Sequence, residues 1–405
     1  MTTSTPFIRP HILCFADYYL PGYKAGGPIR TITNMVSQLG GEFEFLIVTR
    51  DRDFLDTVPY VNVFIDQWNS VGQAKVFYAS PATFSFLGVM RLLNETPHDI
   101  LYLNSFFSPV ATIFPLIIRR LGLYGNKPVV LAPRGEFSMG ALALKTAKKK
   151  IYIALTKMIG IYRQLIWQAS SEFESEDIHR TLSSVMVASN IMVAPDLLPL
   201  PIQTIENAAS DHCDARSPGP LRIVFLSRIS PVKNLDYLLM ALSKVNVGVA
   251  LTIYGPAEDS AYWSLCQSLI KTLPSHITVT YQGEVPHEQV AQTFFAHDLF
   301  IFPTRGENCG HVIYEALAAG TAVIVSDQTP WQTDPHGAVE VLALEQPDVW
   351  TSVINQRAGF NDQAYTAQRT AAVSYAIRYM ETSKAVEQNR SLFLLLFVPE
   401  TNLKI

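Results

Sequence analysis

The side chains best suited to chemistry in this chain are two glutamates, Glu307 and Glu315, separated by eight positions. Between them Asn308, Cys309 and Gly310 form a loop that opens a predicted helix. The start of a helix presents unpaired backbone N–H groups and the positive end of a dipole, which favour a diphosphate. A carboxylate one turn inside the helix can accept two hydrogen bonds from a vicinal diol such as a ribose. The segment therefore predicts a site for a nucleotide sugar.

Two cations precede this segment, at the end of the apolar strand-like run 223–226. Arg228 offers a planar fork for phosphate oxygens, and Lys233 offers a compact point charge. Asn234 is expected to cap the helix that follows, over residues 235–244. A structural ion pair at the helix entry is the alternative. The spacing favours an anion-binding role.

The combined pattern resembles the retaining GT-B glycosyltransferases of the large family 4, or group 1, class. Its parts are Arg228-x4-Lys233, Gly306-Glu307-x-x-Gly310 and Glu307-x7-Glu315, followed by an Ala-rich helix and the strand 322–326. The resemblance is close over residues 220–335. It is looser in the first half of the chain, where it rests on a Gly-Gly loop and on residues 132–136.

The resemblance implies a role for each of these residues. Arg228, Lys233 and the N–H groups around Gly310 would hold the donor diphosphate, Glu315 the ribose hydroxyls, and Glu307 hydroxyls of the transferred sugar. Glu307 and the two cations would form the catalytic set, and the adjoining loop residues would complete the donor site. The donor would be a UDP-, GDP- or ADP-sugar, with no tightly bound cofactor and no metal. Retention would follow from same-face attack, with the leaving phosphate assisting deprotonation.

Other candidate residues lie in the first half. Gly26 and Gly27 lie between the first predicted strand and its helix, where a glycine pair lets the backbone approach phosphate or sugar closely; a plain turn is the alternative. Arg134 follows a later strand and would contact acceptor or phosphate, or else form a structural salt bridge. Asn104 occupies a position where many relatives carry a histidine, so it is assigned to the acceptor side.

The departures from the family pattern leave other functions open. Asn104 replaces the histidine, and Asn308-Cys309 stands where Gly-Phe is frequent. A catalytically idle module that binds a nucleotide sugar is one alternative. A sugar-nucleotide epimerase or a phosphorylase on the same scaffold is another. The favoured function is transfer of a sugar to a glycan or lipid-linked acceptor, in cell-surface polysaccharide synthesis.

The elements that position these residues alternate between strand and helix in both halves of the chain, which predicts parallel sheets covered on both faces. The expected fold class is α/β of the GT-B type, with two Rossmann-like doubly wound domains facing a cleft. The predicted boundaries are residues 1–200 for the acceptor-side domain, 201–220 for a Pro-rich linker and 221–370 for the donor domain. Residues 371–405 are expected to pack back on the first domain.

Composition narrows the class of protein further. The chain has 405 residues, a formal net charge of -4 and a pI near 6.1, which argues against a dedicated nucleic-acid binder. Its four cysteines are scattered without metal or disulfide spacing, so a reducing compartment is expected. The longest apolar run is too short to span a bilayer, and the N-terminus lacks a signal-peptide core. These features predict a cytoplasmic protein.

Two further segments admit more than one interpretation. The stretch 145–157 contains Lys145, Lys148, Lys149 and Lys150 beside apolar residues. It is interpreted as an amphipathic helix with a buried apolar face. A peripheral contact with a membrane is the alternative. Asp51-Arg52-Asp53 resembles a metal-binding Asp-x-Asp triplet, but it lacks a third ligand and is interpreted as a surface turn.

Overall fold

The computed structural model describes residues 9–138, 142, 146–182, 190–199 and 219–397. The chain divides into two compact units, with Met1–Leu197 and Lys384–Ile405 in unit 1 and Leu198–Ser383 in unit 2. Each unit has its own sheet. The predicted linker falls largely on residues 200–218, which lie outside the described residues.

The strands of unit 1 are β1 (His11–Phe15), β2 (Glu44–Arg50), β3 (Trp68–Val71), β4 (Ala74–Ala79), β5 (Ile100–Asn104), β6 (Val129–Ala132), β7 (Ile166–Ala169) and β8 (Ile191–Val193). They form one sheet in the order β3-β4-β2-β1-β5-β6-β7-β8, parallel except for the β3–β4 hairpin. The helices that precede unit 2 are α1 (Gly27–Leu39), α2 (Phe86–Glu95), α3 (Phe114–Arg120), α4 (Thr146–Ile159) and α5 (Glu172–Leu182). The strand order reverses between β1 and β5, so the loops after these two strands flank a switch point, where doubly wound sheets bind ligands.

Both faces of this sheet are buried, as the continuous apolar runs require. Leu13 and Phe15 of β1 belong to a core cluster on one face, whereas Ile12 and Cys14 belong to a cluster on the other. The alternation follows from the period of two in a strand. Burial raises the pKa of the Cys14 thiol to about 12, so this cysteine is neutral core packing.

Unit 2 contains the strands β9 (Leu221–Leu226), β10 (Val249–Tyr254), β11 (Ile277–Gly283), β12 (Leu299–Phe302), β13 (Ala322–Ser326) and β14 (Val339–Leu342). Their order is β11-β10-β9-β12-β13-β14, with all neighbours parallel. The helices are α6 (Leu235–Leu242), α7 (Ser260–Lys271), α8 (His287–Phe295), α9 (His311–Ala318), α10 (Pro347–Ala358) and α11 (Asp362–Thr382). The order reverses between β9 and β12, which places the loops after these strands at the switch point.

The last described helix, α12 (Ala385–Leu394), belongs to unit 1. Phe393 makes edge contacts with Phe43 and Phe45, at centroid distances of 5.5 and 6.2 Å. Arg390 forms a bidentate pair with Glu42, with both N···O distances at 2.7 Å. Residues 371–382 of α11, which the sequence assigned to the returning segment, lie instead in unit 2, because the buried face of this helix packs against α9 and β13.

The predicted class of two doubly wound α/β domains is confirmed, and several local expectations need correction. The apolar run 110–121 predicts a single helix, whereas the structure has a π-helical turn, Pro109–Ile113, before α3. The spacing of Ser171 and Glu174 predicts a capping box at the start of α5, and Ser171 accepts a hydrogen bond from the Glu174 N–H at 3.2 Å, as that motif requires. The Glu174 carboxylate, however, accepts from the backbone of Ser170 and Gly135, so it joins α5 to the loop after β6.

Helix α4 differs from the favoured interpretation of a buried apolar face. Ile151, Leu155, Met158 and Ile159 are all exposed, whereas Thr156 is buried and the Tyr152 hydroxyl bonds that of Tyr162 at 2.6 Å. The inward face of α4 is thus partly polar and its outward face is aliphatic. Lys149 lies over the Phe107 ring at 4.9 Å. Lys145 lies outside the described residues. The helices that the structure describes include none with the length and apolarity to cross a bilayer.

A buried histidine makes the stability of unit 1 depend on pH. His98 bonds the Thr96 carbonyl and the Tyr124 hydroxyl, at 2.7 and 2.6 Å. Burial lowers its pKa from 6.5 to about 4. Because the folded state disfavours the protonated form, this contribution is fully present above pH 6.5 and is lost as pH falls towards about 4.

We therefore expect unit 1 of the wild type to lose about 2 kcal/mol more between roughly pH 8 and pH 5 than the variant His98→Gln. Hydrogen exchange of the β5 and β6 amides at both pH values measures this difference. The variant retains every other titrating group, so it corrects for them. Equal losses in the two proteins would contradict a neutral His98.

Candidate functional site

The loops after β9 and β12 are bound to each other by several hydrogen bonds. The Arg305 N–H and the Thr304 hydroxyl both donate to the Val232 carbonyl, at 2.7 and 3.1 Å. The Asn234 amide donates to the Pro303 carbonyl at 2.8 Å and accepts from Arg305 Nε at 2.9 Å. The two sequence motifs of unit 2 therefore form one structural element at the switch point of its sheet.

Asn234 does not cap α6 with its side chain, contrary to expectation. It occupies the N-cap position in the left-handed conformation, with φ of 62°. Asparagine tolerates this region better than most residues. Its amide is fully engaged with the loop after β12, so the residue joins the two motifs.

Lys233 and Glu307 meet at the centre of this element. The ammonium lies 2.7 Å from Glu307 Oε2, and the two side chains are 14% and 20% exposed. Burial opposes ionisation of Glu307, but the Lys233 charge and hydrogen bond, with smaller contributions from His311 and the Asn308 N–H, hold its pKa below the ordinary value. The Lys233 ammonium also lies over the Phe302 ring at 5.2 Å. The pair is thus held in place beside the loop that leads to α9.

Arg228 lies at the outer side of the same edge. Its Nη1 is 3.1 Å from Glu258 Oε2, and its side chain is 40% exposed. Gly255, directly after β10, lies against the end of β9. A Cβ at this position would lie 1.9 Å from the Ser227 carbonyl oxygen, so only glycine allows this close approach. The Arg228 guanidinium is consequently close to the end of β10 and open to solvent on one side.

Gly310 starts α9 in the left-handed conformation, with φ of 70°. A Cβ at this position would approach Ile313 Cδ1 to 2.7 Å and Glu307 Cγ to 3.2 Å. Glycine therefore allows the loop to pack on the first turn of the helix. Trp331 Nε1 donates to the Cys309 carbonyl at 2.8 Å, which fixes the loop just before that turn. Cys309 thus contributes its backbone carbonyl to the packing of the loop.

Two buried donors lie in this segment. Among the described residues, neither Asn308 Nδ2 nor the Tyr314 hydroxyl has a hydrogen-bond partner. A buried polar group without a partner costs free energy, so it often marks a ligand or an ordered water. Glu315 lies on the second turn of α9, four residues after His311. The segment thus offers donors, a helix start and two carboxylates within one loop and helix.

These groups can bind a diphosphate ester of a polyol. Two cations and the first-turn amides of α9 favour negative charge, and the carboxylates accept hydrogen bonds from hydroxyls. Groups fixed in this way can stabilise charge that develops on a leaving phosphate.

In unit 1 the Gly26–Gly27 loop is held by residues that the sequence did not associate with it. Asp53 Oδ2 accepts from the N–H groups of Tyr23 and Lys24, at 2.8 and 3.2 Å. Gly26 has φ of 73° and precedes α1 directly. The interpretation of the Asp51-Arg52-Asp53 triplet as a surface turn is wrong for its carboxylates. Both aspartates are buried, Asp51 pairs with Arg52, and Asp53 binds loop amides.

Asn104 and Arg134 belong to a buried network at the ends of β5 and β6. Arg134 Nε and Nη2 donate to Asn104 Oδ1, at 3.1 and 2.9 Å, and the guanidinium also bonds Tyr102 and pairs with Asp196. The Arg134 side chain is 6% exposed. This geometry corresponds to the salt-bridge alternative for Arg134. Tyr102 and Asp196 carried no local sequence signal, because they meet Arg134 only through the sheet order.

Part of the chain matches a known protein family. Residues 214–334 match the family model described as "Glycosyl transferases group 1". The D-inositol 3-phosphate glycosyltransferase of Rhodococcus erythropolis is 33% identical over 117 residues, which are 27% of this chain and 26% of that protein. The chain thus covers only about a quarter of that curated relative's length.

Solved structures resemble the whole chain at low sequence identity. HepE of Anabaena, in complex with UDP and glucose, has a TM-score of 0.65 at 16% identity and covers 96% of this chain and 99% of its own. A trehalose-6-phosphate synthase, OtsA, has a TM-score of 0.69 at 12% identity and covers 96% and 100%. These likenesses establish the GT-B fold.

Proposed function

Because the chain is a GT-B protein with a group 1 glycosyltransferase domain, we propose that it transfers a sugar from a nucleoside diphosphate sugar to an acceptor hydroxyl. One observation supports this most strongly. Lys233 Nζ lies 2.7 Å from Glu307 Oε2, and this pair is next to Gly310, the N-cap residue of α9. The loops after β9 and β12, on the two sides of the switch point, hold the pair in this position. A cation, a carboxylate and the start of a helix in one place suit a diphosphate joined to a sugar.

The proposed donor contacts follow the chemistry of each group. Arg228 and Lys233 would bind the diphosphate together with the amides after Gly310. Glu315 would accept hydrogen bonds from the ribose, and Glu307 from the transferred sugar. Negative charge grows on the leaving diphosphate as the bond to the anomeric carbon breaks, and the two cations lower the energy of that state. Because Arg228 and Lys233 supply positive charge at the diphosphate, we propose that the transfer requires no metal.

The stereochemical outcome and the acceptor form the next part of the proposal. In the part of unit 1 that the structure describes, the Asp196 carboxylate of the Arg134 network is paired with Arg134, so it is not available as a nucleophile. Same-face attack with deprotonation by the leaving phosphate retains the anomeric configuration without such a nucleophile. We propose a glycan or lipid-linked acceptor in cell-surface polysaccharide synthesis, and a cytoplasmic location where nucleotide sugars are made.

An idle nucleotide-sugar-binding module is the second candidate, favoured by one observation. Asn104 Nδ2 lies 3.3 Å from Cys14 Sγ and 3.4 Å from the Phe15 carbonyl, while its Oδ1 accepts from Arg134. The amide is therefore committed to the core and cannot accept a proton. Release of nucleoside diphosphate from a bound donor, dependent on added acceptor, separates transfer from idle binding. Release that depends on phosphate would instead indicate a phosphorylase.

Thermal stabilisation by UDP-, GDP- and ADP-sugars tests the donor site directly. At tenfold excess over Kd we expect one nucleotide series to raise Tm by about 3–6 °C, because ligand binding stabilises in proportion to ln(1 + [L]/Kd). Arg228→Ala and Glu315→Ala should remove most of this shift. Glu288→Ala on the exposed face of α8 is the matched control and should retain it.

Parallel scans with a chelator and with magnesium test the metal requirement. Equal shifts in both would support metal-independent binding. A shift seen only with magnesium would contradict it. If no series stabilises the wild type at millimolar concentration, the donor-site assignment fails.

A further inference from the structure

Basic residues are concentrated in one part of unit 1. Residues 100–171 hold ten of the chain's 31 lysines and arginines but only one of its 35 acidic residues, Glu136. The Glu136 carboxylate is occupied by the Ser105 hydroxyl and by the N–H groups of Phe106 and Phe107. This segment is therefore strongly cationic within a chain whose net charge is -4.

Three of these cations surround a pocket at the surface. Arg119, Arg120 and Arg163 line a cavity of about 330 Å³ together with the turn at Gly160. Gly160 ends α4 with φ of 68°, which turns the chain so that Arg163 returns to the end of α3. Among the described residues none of the three arginines has a carboxylate partner. Their charge is available to an external anion.

An aliphatic surface adjoins this pocket. Ile151, Leu155, Met158 and Ile159 recur at helical spacing on α4 and are 62%, 49%, 79% and 52% exposed. Arg120 Nε donates to the Ile159 carbonyl at 3.3 Å, so the pocket and the aliphatic surface are continuous. Leu121, at the end of α3, is 62% exposed beside it.

We propose that this surface, the α3–α4 face, docks unit 1 on an anionic phospholipid bilayer. The α3–α4 face is defined by Arg119, Arg120, Arg163, Leu121, Ile151, Leu155, Met158 and Ile159. Lipid phosphates enter the arginine pocket, and the aliphatic side chains enter the boundary between headgroups and acyl chains. A nucleic acid would match the charge but leave the aliphatic surface in water. The combination of both features selects a bilayer.

The position of the face refines the earlier interpretation of residues 145–157. That interpretation relied on Lys145, Lys148, Lys149 and Lys150, whereas Lys149 is engaged with Phe107. The proposal depends instead on Arg119 and Arg120 of α3, on Arg163 after α4 and on the outward side of α4. It is compatible with a lipid-linked acceptor but does not require sugar transfer, so the two proposals can fail independently.

Vesicle co-sedimentation of the full chain, without nucleotide sugar, tests the proposal. The probes are vesicles of phosphatidylcholine alone and of phosphatidylcholine mixed with phosphatidylglycerol. We expect binding to the mixed vesicles only, weakening with salt. Arg120→Gln with Arg163→Gln should weaken it about twenty-five-fold, since each basic residue contributes about fivefold. Ile151→Ser with Met158→Ser should weaken it at least tenfold.

Matched controls distinguish docking from general charge and hydrophobicity. Lys244→Gln removes an exposed cation of unit 2, and Val61→Ser removes an exposed aliphatic side chain elsewhere in unit 1. Both should bind as the wild type does, and unchanged Tm values should show that all variants fold. Two results would overturn the proposal: no wild-type binding to anionic vesicles at low salt, or binding lost by the arginine variant but retained by the serine variant. The second result indicates an anion site without bilayer contact.

Discussion

Lys233→Met should lower the release of nucleoside diphosphate from the cognate donor by about a hundredfold to a thousandfold, the usual cost of removing one fixed stabiliser of developing charge. The leaving diphosphate gains negative charge in the transition state. Lys233 is the more buried of the two cations and is fixed by Glu307 and by the Phe302 ring. Methionine retains most of the volume and removes the charge. A stopped or continuous assay of nucleoside diphosphate release gives the ratio of the wild-type rate to the rate of Lys233→Met.

Lys244→Met provides the matched control. Lys244 pairs with Asp348 at 2.9 Å, but both side chains are well exposed, so the change should leave the rate within twofold. A folded Lys233→Met variant with a rate near that of the wild type would exclude Lys233 from the chemical step.

A double variant separates the two roles that Lys233 can have. If Lys233 only neutralises Glu307, then Lys233→Met with Glu307→Gln should release diphosphate as fast as Glu307→Gln alone. If Lys233 acts on the diphosphate, the double variant should fold well and be much slower than Glu307→Gln alone. The coupling between the single changes is measurable because the two side chains are in direct contact. We expect the second outcome.

The sequence predicted the framework of unit 2 closely, because its local signals agree. The sequence pattern predicts helices over 260–271 and 287–295 and a strand over 299–302, and the structure has Ser260–Lys271, His287–Phe295 and Leu299–Phe302. Strong apolar periodicity, turn residues and an Asp259 cap that accepts from the Tyr262 N–H indicate these elements directly. Each of the two motifs of unit 2 is compact in sequence, and the pairing of β9 with β12 brings Lys233 to Glu307 across 74 positions.

The predictions for unit 1 were less complete, because its functional geometry is non-local. The β3–β4 hairpin was missed, since edge strand β3 is mostly exposed and lacks an apolar run. Asp53 contacts a loop thirty positions earlier, and Arg134 meets Asp196 across 62 positions. No local pattern reports such contacts. Their partners depend on which strands become neighbours.

Which side of a helix is exposed to solvent also depends on tertiary packing. The spacing of apolar residues in α4 indicated an amphipathic helix but not which side faces the core. Phe106, Phe107 and Tyr162 pack on the side that contains Tyr152, so the aliphatic side faces outward. Aromatic packing from other elements therefore decided the orientation, and a helical pattern by itself does not contain that information.

Arg134→Met should destabilise unit 1 by about 3–5 kcal/mol, because it leaves the buried Asp196 carboxylate without its cation. The loss of stability should extend beyond the Arg134–Asp196 ion pair. Tyr102, which bonds Arg134, also donates to Gln168 Oε1 at 2.6 Å, and Gln168 Nε2 donates to Asn389 Oδ1 of α12 at 3.1 Å. The network thus connects the end of β6 to the C-terminal helix. Hydrogen exchange by mass spectrometry measures the loss in each element.

The expected pattern distinguishes this network from an ordinary surface ion pair. Peptides of β5, β6 and α12 should exchange faster in Arg134→Met, whereas peptides of β9 to β14 in unit 2 should not change. Arg91→Met, which breaks the exposed Arg91–Glu95 pair, should change neither set by more than about 0.5 kcal/mol. Adding Asp196→Leu to Arg134→Met should recover much of the stability, because no unpaired buried charge remains. Unchanged protection of α12 in Arg134→Met would mean that the helix is held by its aromatic contacts and the Arg390–Glu42 pair alone.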